Sequence, residues 1–274
     1  MMAHERDHER AQAIAIAAGE LLLQLRADSG TDWENPDACK ALAKLADRTS
    51  DDFILARLRE QFPEDAILSE ETEDNFMRLE ANRVWIVDPV DGTWEYSHNR
   101  SDFAVHIALW ERAKGLTAGT VAVPGMGELW STHTHRTPAH DVELPTDRDV
   151  RVVVSRTRPL HDQEQFRLDL AHALAPLGVP GVTILQVGSV GAKVGEVLAG
   201  RADAYVSESG FYEWDGAAPA VAAQFYGLQV SHIDGTPHTY NNASVKMRSY
   251  IATRSWLAEP LQQVLVARHR AQQS

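Results

Sequence analysis

Two carboxylates, Asp88 and Asp91, close an apolar run that reads Trp85-Ile86-Val87-Asp88-Pro89-Val90-Asp91-Gly92-Thr93. A strand sends alternate side chains to opposite faces. Acidic groups on one face at its end, on either side of a Pro-forced break, make a poor core and a good cage for a cation. Pro89 cannot donate to a sheet ladder and pushes Asp88 toward an extended conformation. Gly92 lets the backbone turn with its N–H exposed, and Thr93 is then placed to open a helical turn whose free N–H groups attract phosphate. Carboxylates beside exposed amides suggest Mg²⁺ and a phosphoryl group side by side. The alternative is a surface turn, because Asp-Gly is a common turn dipeptide. A turn accounts for Asp91-Gly92 but not for Asp88, nor for Glu70 and Glu71 after a second apolar run, Ala66-Ile67-Leu68.

The elements that must position these groups follow from the periodicity. Ile14, Ala18, Leu21, Leu22 and Leu25 recur at helical spacing and predict a first amphipathic helix ending before Asp28-Ser29-Gly30. A second helix is expected over about 50–61, ended by Pro63. Strands are predicted at 66–68, 84–87, 104–110, 117–123 and 128–132, the middle ones as a meander behind the acidic strand end. A polar Thr/Pro/Asp-rich stretch over 132–149 is the expected boundary between two sub-domains, 1–148 and 149–274. Beyond it, strands at 151–155 and 183–187 flank a helix over about 162–177. A helix at 190–198, a strand at 202–206, a small-residue helix at 215–226 and a last amphipathic helix at 256–268 complete the pattern. This alternation predicts a layered α/β protein in two halves.

At 274 residues, with 44% hydrophobic and 24% charged residues, the chain has the composition of an ordinary soluble globular protein. A net charge of −13 argues against binding to a nucleic-acid polymer or an anionic membrane surface. An acidic protein that handles phosphate must neutralise it locally, which bound divalent cations do. Cys39 is the only cysteine, so no internal disulfide forms. The N-terminus lacks a secretory apolar core and no stretch approaches 18 apolar residues, so the expected compartment is the cytoplasm.

Glu70-Glu71 after a short strand, Asp-Pro-Val-Asp-Gly-Thr about 20 residues later, and Glu213-Trp214-Asp215-Gly216-Ala217-Ala218-Pro219 opening a helix together resemble the inositol-monophosphatase-like superfamily of Mg²⁺-dependent, Li⁺-sensitive phosphatases. Within it the chain is most similar to the actinobacterial 3'(2'),5'-bisphosphate nucleotidases, through Val84-Trp85-Ile86, residues 104–110, Gly188-Ser189-Val190-Gly191-Ala192-Lys193 and residues 233–237. The resemblance implies an αβαβα sandwich, usually a homodimer, and removal of the 3'-phosphate of adenosine 3',5'-bisphosphate, or of its sulfate ester, left over from sulfate assimilation. Carried over, Glu70, Asp88 and the Val90 carbonyl match a first metal site, and Asp88, Asp91 and Asp215 a second, with Glu70 able to share in a third. Hard cations want such oxygen ligands, and carboxylates bridging two ions fit an in-line phosphoryl transfer. Asp47 lies at the family spacing before Glu70 and is matched to the acidic partner of Thr93, the pair that positions and deprotonates the attacking water. The stretch before it, Ala43-Lys44-Leu45-Ala46, departs from the family's hydrophobic-Thr-x-Ala. Asp51 or Asp52 is therefore the alternative partner, or all three form a solvated helix start. Gly92 and Thr93 supply N–H groups to phosphate, and Asp215 serves the leaving oxygen.

Substrate contacts are expected from Asp91, Gly92, Thr93, Trp94, Ser155, Arg156, Gly188, Ser189, Lys193 and Glu208, with Arg158 beside Arg156 as a further candidate. Nucleotidases of this kind carry Lys or Arg after Asp-Gly-Thr, whereas here the residue is Trp94, which permits a less charged substrate such as a nucleoside 5'-monophosphate or simply packs on the surface. Glu208, seven residues before Asp215, keeps an inositol phosphate in view, and fructose 1,6-bisphosphate is a further rival. From another class, the fold could serve as a nucleotide or metal sensor without catalysis. His133, His135 and His140 mimic zinc spacing but have no second cluster to pair with. His98 and His106 read as loop and core residues.

Overall fold

Asn35 and Pro36 start the second helix, well before the apolar periodicity becomes visible. The Asn35 side chain accepts from the N–H groups of Asp37 and Ala38, and Pro36 occupies the first helical position, where its missing N–H costs nothing. The computed structural model describes residues 2–133, 143–208 and 210–273. Its first helices are α1 (Met2–Asp28) and α2 (Pro36–Gln61). The start expected near residue 50 is thus corrected by 14 residues, and Asp47, Asp51 and Asp52 lie in the helix interior, not at its start.

The first sheet follows: β1 (Ala66–Ser69), β2 (Arg83–Asp91), the short helix α3 (Thr93–Ser97), then β3 (Ala104–Glu111), β4 (Gly115–Val123) and β5 (Glu128–Ser131). Its spatial order is β1-β2-β3-β4-β5, with β1 parallel to β2 and the rest the expected antiparallel meander. The second half contributes β6 (Val150–Ser155), α4 (Gln163–Leu174), β7 (Val182–Val187), α5 (Val190–Leu198), β8 (Ala204–Ser207), α6 (Glu213–Phe225), β9 (Gln229–Ser231), β10 (Tyr250–Thr253) and α7 (Ser255–Gln273). The second sheet runs β7-β6-β8-β10-β9, with β10 antiparallel to both neighbours. The sequence pattern does not predict strands β9 and β10, which are three and four residues long.

Alternation along the strands divides the core into three slabs. Trp85 and Val87 of β2, with Val105, Ile107 and Leu109 of β3, pack under α1 and α2. Val84 and Ile86, with Ala104 and Ala108, face the other way onto α5 and α6. Those two helices also meet Val153, Tyr205 and Tyr250 of the second sheet, whose far face (Val150, Val152, Val154, Ile251) packs on α4 and α7. The order is helices, sheet, helices, sheet, helices: the αβαβα sandwich. Because both faces of each sheet are covered, the strands read as continuous apolar runs.

The end of β2 is bulged. Asp88 pairs with His106 and Asp91 with Ala104, so two residues on β2 face one on β3. Positions 88 and 91 would point to opposite faces of a regular strand. The extra residue restores the parity, since 104 and 106 share a face. Pro89, which has no N–H to lose, sits in the bulge.

The central helical layer lies close to the first sheet at Gly119, where an added Cβ would strike Val221 Cγ1 and stand 3.2 Å from the Ala218 carbonyl. Gly119→Ala is therefore expected to cost ~1–3 kcal/mol in urea unfolding, the usual range for overpacking. Adding Val221→Ala should recover most of that loss. A double variant no better than the single would mean that the two layers are not in register there.

Candidate active site

The acidic groups collect where the first sheet meets the central helices. Asp88 and Asp91 come from the bulge of β2, Asp215 from the first turn of α6, and one carboxylate oxygen of each lies within 4.8 Å of the others. Each is oriented by the protein. Val90 N–H donates to Asp88 Oδ1 at 3.0 Å, and Tyr212 N–H donates to Asp215 Oδ2 at 2.6 Å. Gly191 N–H, in the first turn of α5, donates to Asp91 Oδ2 at 2.9 Å, and His106 Nε2 stands 3.2 Å from the same oxygen. The N-terminal ends of α5 and α6 thus hold two carboxylates, as the helix dipole favours. Glu70 follows β1, and its N–H is bonded to the Val87 carbonyl of the adjacent strand.

Such a gathering is costly without a counter-charge. Asp88 is almost wholly buried, and burial, then Glu70, Asp91 and Asp215, raise its pKa well above the usual carboxylate range. Asp215 is pushed up to about 7 by burial and by Asp91. Glu70 has an exposed residue surface but a crowded carboxyl end. Lost hydration there, then Asp215, Glu71, Asp47 and Asp91, raise it to about 8. The donor set is all oxygen, with no thiolate and no imidazole in the group, which fits a hard cation such as Mg²⁺.

Beside the cluster, Gly92 adopts φ 86°, a left-handed conformation that glycine takes without penalty, and α3 starts at once. Its first intrahelical bond runs from Tyr96 N–H to the Gly92 carbonyl, so the N–H groups of Gly92 and Thr93 precede the ladder. The Thr93 hydroxyl lies 3.3 Å from Asp47 Oδ1 and 3.1 Å from the Val90 carbonyl. Asp47, not Asp51 or Asp52, faces Thr93: Asp51 is bonded to Ser69 and Thr72, and Asp52 is exposed. Burial, then Glu71, against the Thr93 hydrogen bond, brings Asp47 up to about 7.

The residues expected to meet substrate divide. Ser189 caps α5, accepting from Ala192 N–H at 2.9 Å, and the buried Lys193 donates to the Gly188 carbonyl while its ammonium lies 5.2 Å above the Tyr205 ring. Burial brings Lys193 down to about 8, against the pull of Asp91 and Glu95. Arg156 spends its guanidinium on Glu95 (3.0 Å) and Asp102 (2.6 Å), and Asp102 also accepts from Gly188 N–H. Asp102 and Glu95 were missed from sequence; they join the α3 region to the second half through Arg156. The Ser155 hydroxyl accepts from Arg158 N–H, and the exposed Arg158 is close enough to Asp215 and Lys193 to act on both electrostatically. Glu208 accepts from His161 N–H at 3.0 Å. Trp94 is 45% exposed and stacks on His98, ring centroids 4.3 Å apart. His106 is a core residue by burial, but one facing Asp91. His135 and His140 lie outside the described residues; His133 N–H donates to the Ser131 hydroxyl.

The model of the inositol monophosphatase family matches residues 4–267. The chain belongs to that family. It is 37% identical over 262 residues to the 3'-phosphoadenosine 5'-phosphate phosphatase of Mycobacterium leprae (strain TN), covering 92% of this chain and 90% of that one. It is 28% identical over 197 residues to the inositol-1-monophosphatase of Bacillus subtilis (strain 168), covering 71% and 73%. Among solved structures, CysQ from Bacteroides thetaiotaomicron, described as a bacterial member of the inositol monophosphatase family, superposes with a TM-score of 0.75 at 26% identity over 91% of this chain and 97% of that one. The fold and the phosphomonoesterase class expected from the sequence therefore stand, and family members generally depend on Mg²⁺. Among the described residues no helix is long and apolar enough to cross a membrane.

Carboxyl groups whose pKa is higher folded than unfolded bind protons more tightly in the native state, so cation-free stability falls as pH rises between the two values. With Asp47 and Asp215 at about 7 and Glu70 at about 8, the melting temperature in EDTA is expected to fall from about pH 5 to about pH 8.5. Saturating Mg²⁺ should remove the fall, stabilising the protein more at the alkaline end. A melting temperature in EDTA that stays level or rises would mean that folding does not raise the pKa of these carboxyl groups.

Proposed function

We propose that this family member is a Mg²⁺-dependent phosphomonoesterase acting on a small nucleotide, foremost the 3'-phosphate of adenosine 3',5'-bisphosphate or its sulfate ester. The observation that carries the reading is the convergence of Asp88, Asp91 and Asp215, with Glu70 at their side. The likeness to the Mycobacterium leprae phosphatase supports the choice of substrate. In this reading Glu70, Asp88 and the Val90 carbonyl hold one cation, and Asp88, Asp91 and Asp215 a second, with Glu70 sharing in a third. When bound, the ions neutralise phosphate charge and lower the pKa of water.

The chain's own groups do the rest. Gly92 and Thr93 present backbone N–H groups to the phosphoryl oxygens. Thr93 orients a water and takes its proton as the hydroxyl's own proton passes to Asp47, whose pKa of about 7 suits a base working near neutrality. The new bond forms between the water oxygen and phosphorus, the ester P–O bond breaks, and the ribose oxygen departs on the Asp215 side, taking a proton from solvent water while Asp47 returns its proton to solvent. Ser155, Gly188, Ser189 and Lys193 shape the wall on the second half. Sub-domains 1–148 and 149–274, a homodimeric assembly and a cytoplasmic setting belong to the same reading.

A phosphate-release panel with Mg²⁺ tests it. Adenosine 3',5'-bisphosphate should be hydrolysed with a higher kcat/KM than adenosine 5'-monophosphate, inositol 1-phosphate or fructose 1,6-bisphosphate, and Asp88→Asn should abolish turnover. Faster hydrolysis of inositol 1-phosphate would sink the nucleotidase assignment, and full activity in the Asp88 variant would sink the metal site.

With Arg156 committed to two carboxylates and Trp94 in place of a cation, Arg158 is the group proposed to meet the second phosphate of the substrate. Arg158→Gln should raise KM for the bisphosphate about tenfold or more, the loss of a charge-assisted contact, while leaving KM for a monophosphate within about twofold. Equal effects on both substrates would place Arg158 away from the second phosphate.

A further inference from the structure

Three polar residues of α2, Asp47, Ser50 and Asp51, recur at spacings that put them on one face of the helix. Each grips a different piece of the acidic site. Asp47 faces the Thr93 hydroxyl at 3.3 Å. The fully buried Ser50 donates its hydroxyl to the Pro89 carbonyl at 2.8 Å, inside the bulge that separates Asp88 from Asp91. Asp51, only 6% exposed, accepts from Ser69 Oγ on one oxygen (2.5 Å) and from Thr72 Oγ1 on the other (3.2 Å). Ser69 and Thr72 flank Glu70 and Glu71, and Thr72 N–H bonds back to the Ser69 carbonyl at 3.4 Å, so the turn bearing both glutamates is pinned at its two ends by one carboxylate.

A buried carboxylate held by two hydroxyls is an expensive way to stitch a helix to a loop, because apolar side chains of similar volume would pack there at lower cost. What the hydroxyl–carboxylate pairs add is direction. They set where the Glu70 turn stands relative to α2, and Ser50 sets where the bulge stands relative to the same helix. We propose that Asp51 and Ser50 are positioning residues of the acidic site: through Ser69, Thr72 and the Pro89 carbonyl they fix the separation of Glu70 from Asp88 and Asp91, and so the affinity for divalent cation. The inference rests on the metal reading given above, and goes beyond it in assigning the spacing of the ligands to one stripe of one helix. The side-chain oxygens of both residues are spent on Ser69, Thr72 and the Pro89 carbonyl.

The experiment is direct Mn²⁺ binding, by electron paramagnetic resonance or calorimetry, to the full chain stripped of metal, alongside melting temperature and steady-state kinetics. Asp51→Asn keeps the shape and one acceptor but turns a donor toward Thr72; the paired change Ser69→Ala with Thr72→Val cuts the same link from the other side. Each should weaken Mn²⁺ binding roughly 10–100-fold, the usual cost of losing a group that orients a ligand. Ser50→Ala should act in the same direction. KM for substrate at saturating metal should stay within about twofold. Combining Asp51→Asn with the paired change should do no more than the worse of the two, since both remove one link. Asp52→Asn, one residue on and exposed, should bind as the wild type does.

A lowered melting temperature with unchanged Mn²⁺ affinity would overturn the proposal, leaving Asp51 a purely structural contact. So would additive effects in the combined variant. If Asp51→Asn does not fold, the paired change decides alone. Wild-type protein that binds no Mn²⁺ would overturn the metal reading itself, an outcome distinct from a wild type and variants that bind equally well.

Discussion

Like charges in a poorly hydrated place are the constraint around which this chain is built. Burial first, and then their mutual repulsion, raises the pKa of Asp88, Asp215 and Glu70, and no lysine or arginine forms a salt bridge with these groups or with Asp91 among the described residues. Instead the fold supplies partial charges. Backbone amides at the starts of α5 and α6 take one oxygen of Asp91 and of Asp215, and the bulge amide takes one of Asp88. A fixed amide orients a carboxylate without neutralising it. The site therefore offers oriented carboxylate oxygens, the donors that hard divalent cations prefer.

That arrangement explains the layering. Asp88 and Asp91 lie on a strand of the first sheet, whereas Asp215 opens a helix of the central layer more than 120 residues later. Both can reach one point only if the central helices start at the same edge where β2 ends. The close approach of α6 to β4 at Gly119, and of α5 to β3 at Gly191, where an added Cβ would lie 2.5 Å from His106 Nε2 and 2.7 Å from Ala104 Cβ, holds those helix starts in place. Arg156 performs the same service on the other side, tying the loop before α5 to α3 through Asp102 and Glu95.

The Asp-Pro-Val-Asp-Gly-Thr run was legible because a surface turn leaves Asp88 unexplained: an acid at the end of an apolar strand, followed by a proline that cannot donate to a ladder. In the first sheet β2, β3 and β4 were legible because their runs are eight or nine residues long. The reason Asp88 and Asp91 share a face was not, since it depends on a bulge whose register is set by β3. The early start of α2 was announced by Asn35-Pro36, a local capping signal that the weak apolar periodicity before residue 50 left unsupported. Without that start, Asp51 read as an alternative partner of Thr93 or a solvated acid at a helix start instead of a buried acceptor for Ser69 and Thr72. The pairing of strands β9 and β10 is settled by neighbours remote in sequence. Arg156 and Arg158 are indistinguishable in sequence; only the second half's approach to Glu95 and Asp102 separates them.

Cation accounting on the substrate side follows from that separation. Lys193 is buried and bonded to a carbonyl, and burial lowers it to about 8 against the pull of Asp91 and Glu95. Arg156 is neutralised by two carboxylates of its own chain. Trp94 presents a half-exposed aromatic face, stacked on the His98 ring. Arg158, exposed beside them, acts electrostatically on both Asp215 and Lys193. An acidic protein has reason to arrange matters this way. Fixed basic residues beside a carboxylate cluster would compete with the metal for the same oxygens, whereas ions that arrive with the cluster's repulsion already in place are held by it.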